Sequence, residues 1–178
     1  MAYLRAHDAT ILKRMKDIGV KIGLAHVDDA AAIAEMSRLH VEGGLPWSWT
    51  EPRVRHYVRD RDSAVIVARD GRRLAGFAIM EFHDEHAHLN LLAVRPGYRS
   101  RGVGTALMRW LESSARTAGV FDIALELRAS NDAARRFYEK LGYATAGTRS
   151  RYYAGVEDAL RMTRNLSVVA APPSGQMQ

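Results

Sequence analysis

The chain contains no cysteine, which excludes disulfides, thiolate metal sites and a cysteine nucleophile together. No stretch approaches the ~18 consecutive apolar residues that a membrane-crossing helix needs. Arg5, His7 and Asp8 precede any apolar block, so no secretory signal is read at the start, and a cytoplasmic location is expected. Gly-Lys-Ser/Thr is missing, so the nucleoside-triphosphate loop is not written here. Gly-x-Gly-x-x-Gly also fails, because Leu107 stands where the third glycine would be. Long basic runs and internal repeats are absent too.

What is present is an ordinary globular composition. The 178 residues are 47% hydrophobic and 26% charged, enough for one domain with a sizeable core. The net charge of +6 and a pI near 9.9 ask for an anionic partner. A phosphorylated cofactor accounts for Arg95, Arg99 and Arg101, and a ribosome-associated substrate would use the scattered remainder. A solvated basic surface is the plain alternative for any arginine outside that cluster. Direct nucleic-acid binding and membrane association are not expected.

Leu4, Ile11, Leu12, Met15 and Ile18, closed by Gly19, predict an amphipathic helical extension over 1–19. The main domain spans 20–166, and Pro172-Pro173-Ser174-Gly175 place a disordered tail over 167–178. Within the domain a strand over 20–24 precedes a helix over 30–40, capped by Asp28 or Asp29, with Ile33, Met36 and Leu39 toward the core. Thr50 caps a second helix. Strands over 64–68 and 74–80 flank the Asp70-Gly71 turn, and a further strand covers 87–95. Past Gly142, segments 143–151 and 158–165 pair across Ala154-Gly155. The order is β-α-α-β-β-β-α-β-α-β-β, an α/β class with helices on both faces.

Two stretches carry the chemistry. Leu89-Asn90-Leu91-Leu92-Ala93-Val94 reads as a strand, and Val103, Leu107, Trp110, Leu111 and Ser114 fall at helical spacing. Between them lies a turn rich in glycine and arginine, which aims free backbone N–H groups and a helix dipole at one spot. Two glycines there clear side chains from an approaching phosphate. Further on, Ile123-Ala124-Leu125-Glu126-Leu127-Arg128 is a strand, and a helix runs from Asn131-Asp132 to Gly142. Glu126 sits between two leucines in a strand expected to be covered on both faces. An unpaired carboxylate there is pushed toward the pKa that a general base needs; a salt bridge to Arg128 or another arginine is the alternative. His83-x-x-His86-x-His88 has metal-like spacing but no orienting partners and reads as a polar loop. His88 and Asn90 share one side of their strand.

Arg99-x-x-Gly102-x-Gly104, followed by Asn131-x-x-Ala134-x-x-x-Tyr138-x-x-x-Gly142-Tyr143, resembles the two coenzyme A-binding blocks of the GNAT superfamily of acyl-CoA N-acyltransferases. The resemblance implies a mixed, mostly antiparallel seven-stranded sheet with splayed central strands and helices on both faces. It implies acetyl-CoA as co-substrate and no metal. Backbone groups of Leu92, Ala93 and Val94 would pair with the pantetheine arm. Amides from Arg99, Ser100, Arg101, Gly102, Val103, Gly104 and Thr105 would hold the pyrophosphate. Asn131 would bond the pantetheine or serve only as a helix cap. Tyr138, beside the cofactor, would protonate the leaving thiolate or merely pack in the core. Glu126 would be the base, with His88, or a water on it, as the runner-up.

The match is densest over 87–162 and is similar there to the RimI-type ribosomal-protein alanine N-acetyltransferases. Leu125 to Asn131, Leu141-Gly142-Tyr143, Arg151-Tyr152-Tyr153, Glu157 to Met162 and the Pro46-Trp47-Ser48 triplet carry it. It implies transfer to a protein N-terminal α-amine, with Tyr152, Tyr153 and Trp47 lining the acceptor channel or simply packing. Val41-Glu42-Gly43-Gly44-Leu45 and the N-terminal extension depart from the pattern. Two other readings stay open: transfer to a small amine (polyamine, amino acid or aminoglycoside), and a non-catalytic module binding coenzyme A or nucleic acid. Intact Glu126, Asn131 and Tyr138 argue against the last. Monomer and homodimer both fit.

Overall fold

A computed structural model describes residues 19–167. The expected N-terminal helix and C-terminal tail lie outside the described residues. The elements are β1 (Lys21–Leu24), α1 (Ala30–His40), α2 (Glu51–Arg59), β2 (Ser63–Asp70), β3 (Arg73–Phe82), β4 (His86–Val94), α3 (Val103–Thr117), β5 (Asp122–Arg128), α4 (Asp132–Lys140), β6 (Ala144–Tyr153) and β7 (Glu157–Asn165). They form one seven-stranded sheet in the order β1-β2-β3-β4-β5-β7-β6. Only β4 and β5 run parallel; every other pair is antiparallel.

Alternation along the strands divides the core in two. Val65, Val67, Phe77 and Ile79 pack with Ile33 and Met36 of α1 and Val54 of α2. Ile66, Ala78 and Met80 face the other way, onto Leu107, Met108 and Leu111 of α3. Strands buried on both faces must be apolar at every position, which is why β2 and β3 read as continuous hydrophobic runs.

Two expectations at α1 are corrected. Leu39 is 55% exposed, because the buried positions are Ala30, Ile33, Ala34, Met36 and Ser37, a stripe centred on Ala30, and 100° per residue carries Leu39 to the side opposite it. Asp29 occupies the cap position without bonding the helix. It accepts the backbone N–H of His26 at 2.7 Å and pairs with Arg69, since a 3₁₀ turn over Val27–Asp29 runs into the helix.

Behind the sheet, α3 is tied to β7 by an ion pair between the half-buried Arg164 and the buried Glu112. Arg164 Nη1 donates to Glu112 Oε1 at 2.7 Å, and the Tyr143 hydroxyl donates to the same oxygen at 3.3 Å. Burial outweighs Arg164 and holds the Glu112 carboxyl above its ordinary pKa. A raised folded-state pKa means that the charged form costs stability as pH rises. Arg164→Met removes the only partner with an opposite charge in this bonded cluster and is expected to cost about 3 kcal/mol near neutrality. The loss should shrink as pH falls and Glu112 takes up a proton. Urea melts across the acidic range would check this, and a deficit that grows on acidification would contradict it.

Candidate active site

The site begins where the sheet opens. β4 and β5 pair only over His86 to Leu89 and Asp122 to Leu125. At that point β4 carries one extra residue: Ile79 opposes Leu91 and Met80 opposes Leu89, which leaves Asn90 bulged between them. A bulge bends its strand and re-aims side chains. Beyond it, β4 stays with β3 while β5 stays with β7 as far as Arg128. The divergence leaves β4 from Leu91 to Val94 bonded to β3 alone, with Leu91 and Leu92 lining a cavity of about 530 Å³ that Ala93 and Val94 do not reach. An extended chain fits such an opening as an added strand.

At the far end of β4 the chain turns sharply into α3. Ser100 (φ 59°) and Gly102 (φ 85°) are left-handed, and Gly102 is the residue from which the helix starts. The N–H groups of Val103, Gly104 and Thr105 belong to the first turn, where no intrahelical acceptor exists. A Cβ at Gly104 would stand 3.2 Å from the Phe137 ring and 3.6 Å from Val94 Cγ2, so glycine there lets α3 close on α4. These residues suit a phosphate group. The arginines around it are partly committed: Arg95 Nε donates to Leu74 O and Arg99 Nε to Val94 O, both at 3.0 Å. Their field still reaches the cavity wall. Burial first, then Arg99 and Arg95, hold the His40 imidazole below its usual pKa.

The two base candidates turn out to be bonded to each other. His88 Nε2 lies 2.5 Å from Glu126 Oε2, and the Glu126 side chain is 5% exposed. The other carboxylate oxygen is 3.5 Å from Arg149. Arg128, the first arginine expected to pair with Glu126, reaches instead to Glu157 at 3.5 Å and to the carbonyls of Val41 and Gly43. His83 and His86 stack on each other with 4.6 Å between centroids, away from the bond His88 makes.

Tyr138 comes from the opposite side of the sheet. It belongs to the core on the α3 side, packs edge-on against Phe137 and Tyr143, and reaches the same cavity as Glu126. Burial pushes its phenol well above the ordinary pKa, so it stays a proton donor throughout the neutral range. Asn131 caps α4, its Oδ1 accepting from Ala134 N at 3.0 Å, and it also lines the cavity. A cap made by the oxygen leaves the amide N–H₂ as a donor.

Glu42 was legible only as part of a departure from the family pattern, yet it builds one wall of the cavity. Its buried carboxylate accepts from Ser48 N and Ser48 Oγ at 2.7 Å, Trp49 N at 3.3 Å and Ser37 Oγ at 3.1 Å. Neutral donors thus satisfy a buried charge and pin the loop between α1 and α2. Tyr152 and Tyr153 line the cavity opposite; burial, then Tyr152, push the Tyr153 phenol up to about 12. Trp47 does not line the cavity and is 46% exposed. Trp49 takes its place there, under the Arg53 guanidinium at 4.1 Å.

Residues 33–143 match the acetyltransferase (GNAT) family. A Salmonella typhimurium [ribosomal protein bS18]-alanine N-acetyltransferase is 40% identical over 99 residues, 54% of this chain and 67% of that protein. The Escherichia coli ribosomal-protein-S18-alanine N-acetyltransferase superposes with a TM-score of 0.73 at 29% identity, over 89% of this chain and 99% of that one. Ard1 from Thermoplasma volcanium superposes with a TM-score of 0.75 at 25% identity, over 83% and 98%.

Proposed function

Since the chain belongs to the acetyltransferase (GNAT) family and is an acetyl-CoA-dependent N-acetyltransferase, we propose that its acceptor is the N-terminal α-amine of a protein or peptide. The base is Glu126 with His88, and Tyr138 is the acid. The observation that carries the reading is that Glu126 and Tyr138 enter one cavity from opposite faces of a sheet split open between them. When bound, acetyl-CoA supplies an acyl carbon already activated as a thioester.

The chain's own residues do the rest. Amides at the start of α3 hold the phosphates, and Leu92, Ala93 and Val94, along the open side of β4, align the pantetheine. Asn131 keeps its amide hydrogens for the same arm. An α-ammonium entering between the α1–α2 loop and the β6–β7 hairpin meets the Glu126 carboxylate and gives up a proton to it. Tyr138 keeps its own proton until the departing sulfur needs it. Support for a peptide acceptor comes from the likeness to enzymes named for a ribosomal-protein alanine and from the aromatic walls, Trp49 facing Tyr152 and Tyr153.

Thiol release from acetyl-CoA tests this. The acceptors are peptides with free alanine, serine or methionine N-termini beside spermidine, free amino acids and an aminoglycoside. Turnover on a peptide, lost when its N-terminus is blocked, is the expected result. Turnover confined to a small amine would overturn the acceptor and leave the chemistry standing.

A further inference from the structure

We propose that Asn90 and Glu81 are positioning residues that fix which nitrogen of His88 carries hydrogen, and so make His88 and Glu126 act as one base. The proposal rests on the assignment of that base made above. Glu81 stands directly across from His88 in the β3–β4 register. Asn90 Nδ2 donates to Glu81 Oε2 at 2.5 Å, Asn90 Oδ1 lies 2.9 Å from His88 Nδ1, and His88 Nε2 lies 2.5 Å from Glu126 Oε2. The row crosses three strands, and the bulge at Asn90 is what brings its side chain into line.

The hydrogen-bonding rules leave one arrangement. An ionised carboxylate only accepts, so Glu81 draws the N–H₂ end of the Asn90 amide toward itself. The amide oxygen is thereby turned on His88, and an oxygen facing Nδ1 requires a hydrogen on Nδ1. A neutral imidazole with hydrogen on Nδ1 has a bare lone pair on Nε2, aimed at an oxygen of Glu126. Two lone pairs at that separation repel, so one hydrogen lies between Nε2 and Oε2. The second oxygen, Oε1, faces Arg149 and is the one left for the acceptor. There the ammonium N–H bond breaks and an O–H bond forms on Oε1, while the shared hydrogen passes wholly to Nε2, so that Glu126 ends as the neutral acid and His88 as the imidazolium that carries the positive charge given up by the ammonium. Charged and polar neighbours complete the row: Tyr57 bonded to Glu81, with Arg53 on the same phenol, and Arg149 and Tyr153 beside Glu126.

The test reads the tautomer directly. ¹⁵N-imidazole spectra of histidine-labelled protein, with the His88 signal assigned from its loss in His88→Gln, need neither substrate nor turnover. Hydrogen on Nδ1 is expected in the parent. Asn90→Leu removes the acceptor at Nδ1, and His88 is expected to switch to the Nε2–H tautomer. Glu81→Gln frees the Asn90 amide to turn and should give a mixture, which keeps the test alive if the leucine variant folds poorly. In steady state both variants should lose kcat by about tenfold, less than the 10²–10⁴-fold that outright loss of a general base costs, with the KM for acetyl-CoA unchanged. A bare Nδ1 in the parent, or an unswitched Nδ1–H in both variants, would overturn the lock. If the tautomer switches but Glu126→Gln retains full activity, the lock stands and the base assignment fails instead.

Discussion

Tyr138→Phe is expected to slow turnover by about 10²–10⁴-fold, the range that a positioned general acid or base supplies, while acetyl-CoA binds as before. The substitution deletes one oxygen and keeps the ring that packs on Phe137 and Tyr143, so the fold has no reason to change. Burial already holds the phenol as a donor across the neutral range. The parent should therefore show no loss of activity from Tyr138 ionising near neutrality. Rapid-quench measurement of the chemical step separates this effect from product release. An unchanged chemical step in the phenylalanine variant would remove Tyr138 from the mechanism and leave it as a core residue.

The second large effect is at the phosphate cradle. Gly102→Asp should abolish detectable acetyl-CoA binding, a loss of about 10²-fold or more, since each charge-assisted hydrogen bond forgone is worth roughly 1.5–3 kcal/mol. Aspartate is a favourable residue at a helix start and tolerates the left-handed conformation better than most, so α3 should form normally around it. Its carboxylate would then occupy the place where the anion is expected, among the amides of Val103 to Thr105. Gly102→Ala is the control, because it imposes the φ of 85° on a side chain without adding charge. Titration calorimetry on both variants decides the matter: equal affinities would show that strain rather than charge governs the loop, and unimpaired binding by the aspartate variant would mean the phosphates sit elsewhere.

How much of this was legible beforehand follows from the range of each interaction. Helix α1, the Asp70-Gly71 turn and the strand–turn–helix around Gly102 depend on neighbours a few residues apart, and local periodicity and turn chemistry revealed all of them. The motif residues Gly102, Gly104, Asn131 and Tyr138 stood out by their resemblance to two short family motifs, each contained within a few turns of chain. Leu39 was misplaced because the apolar pattern alone did not show that Ser37, bonded to Glu42, fills the buried stripe.

By itself the sequence determined the element order, the turns between the elements, and which residue types stand in the two motifs. Only the tertiary structure decided which of those residues meet. Glu126 and His88 are 38 positions apart, and their bond exists because β4 and β5 are parallel neighbours for four residues and then part. Arg149 and not Arg128 approaches Glu126 because β6 folds back beyond β7, while Arg128 is drawn to the carbonyls of a loop some 85 residues upstream. The line from Glu81 through Asn90 needs a one-residue bulge whose position depends on how β3 and β4 register. Such contacts are set by strand pairing across the sheet, and no local pattern in the chain encodes the pairing alone.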